Sequence, residues 1–438
     1  MTQISAAMEE SLLNVSEHKP IPAVELDSHS AEVVAATHDV GKAPDGGLQA
    51  WLVAVGASCI FFSALGFSNS FGVFQEYYLT HQLRGESPDK VAWIGSLSAL
   101  LQFAAGALGG PLFDRYGAWI IRPAAIAYVF GMMMMSLCSE YWHFMLVQGV
   151  LMGIAMGLVQ FPALAAVSQY FDKKRSAALG VAVSGSSIGG VVIPIALSKM
   201  LNSTSIGFGW SVRIIAFIIT PLMAISCITI KARLPPRTTT FFIGSAFRSV
   251  RYDLLIISLF CMFLGMFTPL FFIPTYAVTR GMGPTLASYL LAIINASSTF
   301  GRVIPGVLAD KFGPLNIFTF AGLATGVVVL CLNQATTTAG LIIYSIAFGF
   351  TSGTIISGGS AAFTVCPKDA RDIGTYMGMG MALAGLAALI GPPVNGALIA
   401  RYGGFLEVSI FSGVMLLVGG LISLASKIFT PQGFMGRV

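Results

Sequence analysis

Charged residues are scarce in this sequence. Asp, Glu, Lys and Arg make up 10% of the 438 residues, and 55% of the residues are hydrophobic. A soluble domain carries about 25% charged residues, so the composition predicts an integral membrane protein rather than a soluble globular one. The formal net charge of +5 does not indicate nucleic-acid binding, because the basic residues form short clusters between apolar runs.

Cysteine and histidine are also scarce. The six cysteines form no C-x-x-C pair, and the five histidines are scattered, so we expect no metal site and no cofactor. No Walker phosphate-binding loop is present, which argues against direct use of ATP. A membrane enzyme would need His, Asp or Glu clustered at one bilayer depth. The sequence lacks such a cluster, so we expect that the protein is not an enzyme.

Apolar runs fill the chain after residue 45. A hydrocarbon core about 30 Å thick requires about 20 helical residues, and barrel strands would alternate and be about half as long. The runs therefore predict an all-α membrane protein with twelve transmembrane helices. We place them near 49–74, 91–112, 119–138, 143–168, 176–198, 212–230, 254–278, 286–308, 315–334, 339–363, 374–399 and 405–426.

The ends of the chain and the middle differ from the apolar runs. Residues 1–45 are polar and acidic and predict a disordered tail, because they bury too little apolar surface to fold alone. We expect an N-terminal helical half at 46–231, a short linker at 232–252, a C-terminal half at 253–427 and a tail at 428–438.

Basic residues are divided unequally between the two sides of the predicted bundle. One side holds Arg115, Arg122, Lys173, Lys174, Arg175, Lys231, Arg233, Arg237, Arg248, Arg251, Lys311, Lys368, Arg371 and Lys427. The other holds Arg84, Lys90, Lys199, Arg213, Arg280 and Arg401. The positive-inside rule then places both termini in the cytoplasm. We expect the plasma membrane, with the vacuolar membrane as the alternative.

One turn occurs twice. Residues 110–117 and 306–313 both read G-x-L-x-D-[RK]-x-G, at the end of the second and of the eighth predicted span. Two copies in register indicate two six-helix repeats, which is the plan of the major facilitator fold. Each carboxylate can accept hydrogen bonds from a facing helix N-terminus, which predicts a conformational latch; a solvated turn that only fixes topology is the alternative. The latch residues are Asp114, Arg115, Asp310 and Lys311.

Three further segments resemble the monocarboxylate porter family of the major facilitator superfamily, and most closely its fungal members. They are residues 44–51, residues 170–185 and Gly391-Pro392-Pro393. The resemblance covers about residues 44–427. Its signature positions here are Asp45, Gly46, Gly47, Tyr170, Phe171, Lys174, Arg175 and Gly180.

The same resemblance implies a substrate site. It places the substrate-anion arginine of the family at Arg302. The aspartate one turn earlier in the family falls on Ser298, and the lysine of the first span falls on Asn69. Two of the three groups expected for proton–monocarboxylate coupling are therefore replaced.

The residues themselves leave two interpretations open. An arginine inside a span faces a cavity or a partner, but Arg302 is close enough to a helix end to extend towards the headgroups instead. Asn69 and Asn295 are candidate substrate contacts, or hydrogen bonds between helices.

We therefore expect a secondary active carrier of small organic solutes that works by alternating access. The sequence is compatible with import of a monocarboxylate-like solute and with export of a secondary metabolite, and a non-transporting membrane receptor is a third hypothesis. The partners we expect are the lipid bilayer and the organic solute, with protons as a candidate coupling ion. We expect neither nucleic acid nor an obligate protein partner. Asn202, in an N-x-[ST] sequence, is a glycosylation candidate.

Overall fold

The computed structural model describes residues 43–202, 205–237 and 241–430, together with Gly433 and Gly436. The predicted tail at 1–45 falls almost entirely outside these residues. The described ranges contain helices and turns and no strand. Their α-helices of 15 residues or more are α1 (Leu48–Ser68), α2 (Pro88–Tyr116), α3 (Ile121–Met135), α4 (Met152–Tyr170), α5 (Arg175–Asn202), α6 (Gly207–Thr229), α7 (Val250–Thr279), α8 (Pro284–Phe312), α9 (Pro314–Leu330), α10 (Thr338–Thr364), α11 (Ile373–Tyr402) and α12 (Leu406–Ser426).

Two of the predicted spans are interrupted helices. A tight turn at Ser70, whose amide donates to the Phe67 carbonyl at 2.9 Å, separates α1 from a shorter helix, Phe71–Thr80. A four-residue helix, Tyr141–Phe144, leads into the π-helix Met145–Leu151 and then into α4. Interruptions of both kinds are common at functional positions in helices.

Eleven segments of the described chain are long and apolar enough to cross a membrane. One of them, Lys90–Met135, has 46 residues and contains both α2 and α3, joined by the 3₁₀ turn Gly117–Ile120. A single crossing needs about 20 residues, so this segment has the length of two crossings. The all-helical membrane class predicted from composition is confirmed.

The helices pack in a pattern that repeats at an interval of six. In the first six helices α1 packs on α5 and α6, α2 on α4, and α3 on α4 and α6. In the last six, α7 packs on α11 and α12, α8 on α10, and α9 on α10 and α12. The two sets meet mainly along two seams, α2 with α11 and α5 with α8.

Glycines allow the helix backbones to lie close together along both seams. A Cβ atom on Gly378 of α11 would overlap the carbonyl oxygen of Gly106 in α2, and one on Gly110 would overlap that of Gly374. Along the other seam, a Cβ on Gly306 of α8 would lie 2.8 Å from the Ser176 carbonyl oxygen. Helix backbones approach this closely only where side chains are absent.

All five tryptophans are exposed and lie near the ends of helices. Trp51 and Trp119 lie at the same end of the bundle as Asp114, Arg237 and Asp310, and we call this end the basic end. The other three, at the opposite end, are Trp93, Trp142 and Trp210. Indole rings prefer the boundary between lipid and water, so their positions fit helices that end at the two surfaces of a bilayer.

Candidate transport site

At the basic end, Asp114 joins the C-terminus of α2 to the N-terminus of α11. Its Oδ2 accepts the Thr375 amide at 2.6 Å and the Thr375 hydroxyl at 2.7 Å. Asp114 is 4% exposed. A helix N-terminus carries partial positive charge and unpaired N–H groups, so a buried carboxylate is stabilised there. The structure thus places the first predicted latch carboxylate on a facing helix.

The linker between α6 and α7 adds a buried arginine to this contact. The Arg237 backbone amide donates to the Asp114 carbonyl at 2.8 Å. Its guanidinium donates to the Asp372 carboxylate at 2.8 Å and to the Thr375 hydroxyl at 3.1 Å. Sequence analysis counted Arg237 only as a basic loop residue and missed Asp372. The one available signal was the position of Asp372 immediately before a helix, where aspartate is a common cap.

Asp310 makes the corresponding contact along the other seam. Its two carboxylate oxygens, at the C-terminus of α8, accept the Ser176 amide at 2.8 Å and the Ala177 amide at 3.0 Å. Both amides belong to the first turn of α5. The basic residues of the repeated motif do not join these contacts, since Arg115 and Lys311 are exposed.

Asp45 connects the segment before α1 to the turn before α5. Its Oδ1 accepts the amides of Asp172, Lys173 and Lys174 at 2.6, 2.7 and 3.3 Å. Partial burial acts to raise the pKa of the Asp45 carboxyl, but the three N–H donors outweigh it and lower the pKa below the ordinary value. Asp45 has φ 51° and Gly47, the residue before α1, has φ 84°. Asp and Gly are the residues that tolerate this conformation.

The remaining signature residues surround the same turn. Trp51 packs edge-on against Phe171, with ring centroids 5.1 Å apart, and Tyr170 accepts the Asp45 amide at 3.1 Å through its carbonyl. Arg175 pairs with Asp172 at 3.1 Å, whereas Lys174 is exposed. The two signature segments therefore form one contact in space. The signature position Gly180, in α5, lies against the Arg302 backbone of α8, across the seam between these two helices.

Arg302 lies in α8 with its side chain directed at α5. It is 5% exposed, and its Nη1 donates to the Val183 carbonyl at 2.9 Å and to the Ser186 hydroxyl. Its Nε has no hydrogen-bond partner. Within the described ranges no carboxylate lies at ion-pair distance from it. The guanidinium stays inside the seam instead of extending to the basic end, and a buried, unpaired cation is suited to an anionic ligand.

Asn69 and Asn295 meet on either side of Gly190. A Cβ atom on Gly190 of α5 would lie 2.7 Å from the Asn69 Nδ2 and 2.8 Å from the Asn295 Oδ1. These two asparagines come from the first and the second six helices. Ser298 does not join them, because its hydroxyl lies against Gly353 of α10. The structure thus brings together two of the four predicted substrate residues. Arg302 lies two helical turns from Asn295 along α8, towards the basic end.

Asn202, the glycosylation candidate, is exposed at the end of α5. The other two residues of its N-x-[ST] sequence lie outside the described residues. Its modification stays a prediction.

Membrane-length helices that meet along two glycine-lined seams, with buried carboxylates joining the two sets at one end, are the architecture of a polytopic membrane protein. Residues 56–368 match the Major Facilitator Superfamily. The chain belongs to this superfamily and is a transmembrane transporter. The predicted superfamily is confirmed, and the narrower monocarboxylate porter assignment stays a prediction.

Three curated relatives are similar to almost the whole chain. The aspyridones efflux protein of Emericella nidulans is 47% identical over 89% of this chain and 80% of its own length. The agnestins efflux protein of Paecilomyces divaricatus is 38% identical over 88% of this chain and 89% of its own length. The fujikurins efflux protein of Gibberella fujikuroi is 36% identical over 94% of this chain and 89% of its own length.

Solved structures share the fold at low sequence identity. FucP in its outward conformation has a TM-score of 0.69 at 15% identity, covering 86% of this chain and 99% of that one. A human organic anion transporter has a TM-score of 0.68 at 16% identity, covering 86% and 100%. These likenesses confirm the predicted superfamily fold.

Replacing Asp45 with alanine should destabilise the protein by about 2 kcal/mol, because three amides lose a charged acceptor. Thermal unfolding of the purified protein in detergent measures this. Because the folded-state pKa of Asp45 is lowered, its contribution should be present above about pH 4 and decrease as the pH falls through the lowered folded-state pKa. Asp172→Ala is the matched control, since Asp172 is 67% exposed and makes one ion pair; equal losses from both changes would contradict the role of Asp45.

Proposed function

We propose that this transporter carries a small organic metabolite out of the cell by alternating access. The three relatives above are named as efflux proteins for three different products. Their identity to this chain over most of both lengths supports export of a secondary metabolite, and the difference between their products leaves the compound open. The structural observation that carries the proposal is the buried Arg302, because its guanidinium has no carboxylate partner within the described ranges.

The proposed topology has twelve crossings in two six-helix repeats. The 46-residue segment Lys90–Met135 supports two crossings, and the contact pattern that recurs at an interval of six supports the repeats. The halves then correspond to residues 46–231 and 253–427, with the linker between them. The basic end faces the cytoplasm in this proposal, with both termini there, because Lys and Arg concentrate on cytoplasmic loops. We place the protein in the plasma membrane, which suits export.

In the proposed site, Arg302 binds an anionic group of the substrate. Asn69 and Asn295 contribute neutral hydrogen-bonding groups further towards the opposite end, and Ser298 supports α8 against α10. The position of Asn69 supports this role, since it is exposed and next to Asn295. Proton-coupled import of a monocarboxylate is the second candidate, favoured by the signature segments. Asn69 and Ser298 argue against it, because neither side chain takes up or releases a proton in the physiological pH range.

We also propose that Asp114 and Asp310 are the latch that holds the basic end closed. Each carboxylate belongs to one half and accepts hydrogen bonds from the other: Asp114 accepts the Thr375 amide and hydroxyl, and Asp310 accepts the Ser176 and Ala177 amides. Opening towards the cytoplasm must break both contacts. Reclosing restores them without any change in covalent structure, as rocking of one half against the other requires.

Export is tested with yeast cells that express the protein at the surface. Cells loaded separately with aspyridones, agnestins or fujikurins are followed by mass spectrometry of the medium. We expect faster export of at least one compound than from cells with an empty vector. If none of the three compounds leaves these cells faster than cells with an empty vector, and labelled monocarboxylates are taken up when a pH gradient is imposed, the second candidate replaces the proposal.

Arg302→Ala should lower export of an anionic substrate by about 30-fold or more, because loss of a buried charge contact costs about 2 kcal/mol or more. Surface expression, measured by an epitope tag, should stay unchanged. Arg213→Ala is the matched control, since Arg213 also lies in a membrane segment but bonds within the first half, to Ser136 at 3.0 Å. Unchanged export by the Arg302 variant would remove the anion-binding role.

Asp114→Asn should open the basic end more often, because the amide retains an acceptor but loses the charge beside the α11 N-terminus. A loss of about 1 kcal/mol would raise the open fraction about fivefold. Spin labels at the exposed positions Tyr116 and Lys368 report the separation of α2 and α11 by pulsed distance measurement. The control is Asp172→Asn. Identical distance distributions in the native and Asp114 variants would exclude the latch.

A further inference from the structure

A buried pair of glutamine amides lies between α2 and α4. The Gln102 Nε2 donates to the Gln160 Oε1 at 2.8 Å, and both side chains are 3% exposed. The Gln160 Nε2 has no hydrogen-bond partner. In this orientation the pair leaves one buried amide N–H₂ group of Gln160 unused. Exchanging the oxygen and nitrogen of both amides would keep the bond and leave the Gln160 carbonyl oxygen unused instead. The pair therefore holds one buried hydrogen-bonding group without a partner, which is a donor in the orientation that the structure shows.

The pair lies at the boundary between the two halves. Phe103, next to Gln102, contacts Gly385 of α11 and the Phe263 ring of α7, whose centroid is 5.8 Å away. One turn along α2 from Gln102, Gly106 contacts both Phe161 of α4 and Gly378 of α11. The glutamines are thus placed where α2 and α4 of the first half meet α11 of the second. A pair that served only to join α2 and α4 could lie at any position around them.

The pair and the proposed anion site both lie near the middle of the membrane, about one helical turn apart in depth. Gln102 is twelve residues from Asp114, and Arg302 is eight residues from Asp310. At a rise of 1.5 Å per residue these positions lie about 18 Å and about 12 Å from the latch contacts. Both are near the middle of a hydrocarbon core about 30 Å thick, one in each half. Secondary carriers of this plan bind their substrates at that depth, between the halves.

We infer that the Gln102–Gln160 pair is a second substrate contact, and that it binds a carbonyl or other uncharged acceptor oxygen of the metabolite. The inference rests on the proposed function and makes it more specific. The substrate would carry an anionic group for Arg302 and, at a distance, an acceptor oxygen for the Gln160 amide. A buried donor without a partner is unfavourable. A substrate that brings an acceptor oxygen to this donor should therefore bind better than one that lacks such an oxygen.

Accessibility to a thiol reagent tests the location without knowledge of the substrate. Gln160→Cys is treated with a membrane-impermeant methanethiosulfonate, added to intact cells or to inside-out vesicles, and labelling of the native chain is subtracted. We expect labelling from at least one side, about tenfold faster than for Gln148→Cys. Gln148 is a matched control, because it is buried in the first half and accepts the Tyr78 hydroxyl at 2.9 Å. Labelling no faster than at Gln148, from both sides, would overturn the inference.

Export by leucine variants tests the chemistry. Gln160→Leu leaves the Gln102 amide unpaired, so the double variant Gln102→Leu with Gln160→Leu is included because it removes both amides together. In the export assay above, both should raise the concentration for half-maximal export about tenfold and leave the maximal rate near that of the native chain. Normal half-maximal concentrations beside an inactive Arg302→Ala would overturn this subsite and retain the proposed function. No export by the native chain would instead reject the proposed function, and the labelling result would still decide the location of the pair.

Discussion

At the basic end, the contact between the two sets of six helices depends on one kind of interaction, in which a carboxylate from one set accepts one or two backbone amides at the start of a helix in the other. Asp114 and Asp310 both do this. The N–H donors and the helix dipole favour a carboxylate at this position, and burial keeps water from competing for the donors. The glycine seams matter because they bring the two backbones close enough for the carboxylates to reach.

The N-terminus of α5 receives carboxylates from two directions. Asp45 binds the amides of residues 172–174, and Asp310 binds those of Ser176 and Ala177. The first contact stays within one half and the second crosses to the other. A single turn of the chain thus joins the segment before α1 to the seam. The signature residues on both sides of this turn have a structural explanation that does not require contact with substrate.

Sequence could anticipate the features that are written in local patterns. Apolar runs located the helices, and the repeated G-x-L-x-D motif located both carboxylates that contact the start of a facing helix. Features that depend on tertiary contacts could not be predicted from the sequence. The insertion of Arg237 beside Asp372 requires a linker path that no periodicity encodes. The orientation of Ser298 towards α10 and the pairing of Gln102 with Gln160 likewise depend on which helix lies opposite, and a lone glutamine in an apolar run gives no such information.

The position of Arg237 makes the linker between α6 and α7 part of the contact between the two sets of six helices at the basic end. Arg237 contacts the first six helices through the Asp114 carbonyl and the last six through Asp372 and Thr375, and it also donates to the Phe241 carbonyl within the linker. The two halves produced as separate polypeptides would consequently differ according to where the chain is divided. A break before Arg237 would leave this residue on the second half, able to close on Asp372 but no longer covalently joined to α6. A break after Phe241 would keep it tied to α6, where it would serve as an intermolecular recognition element for the missing half.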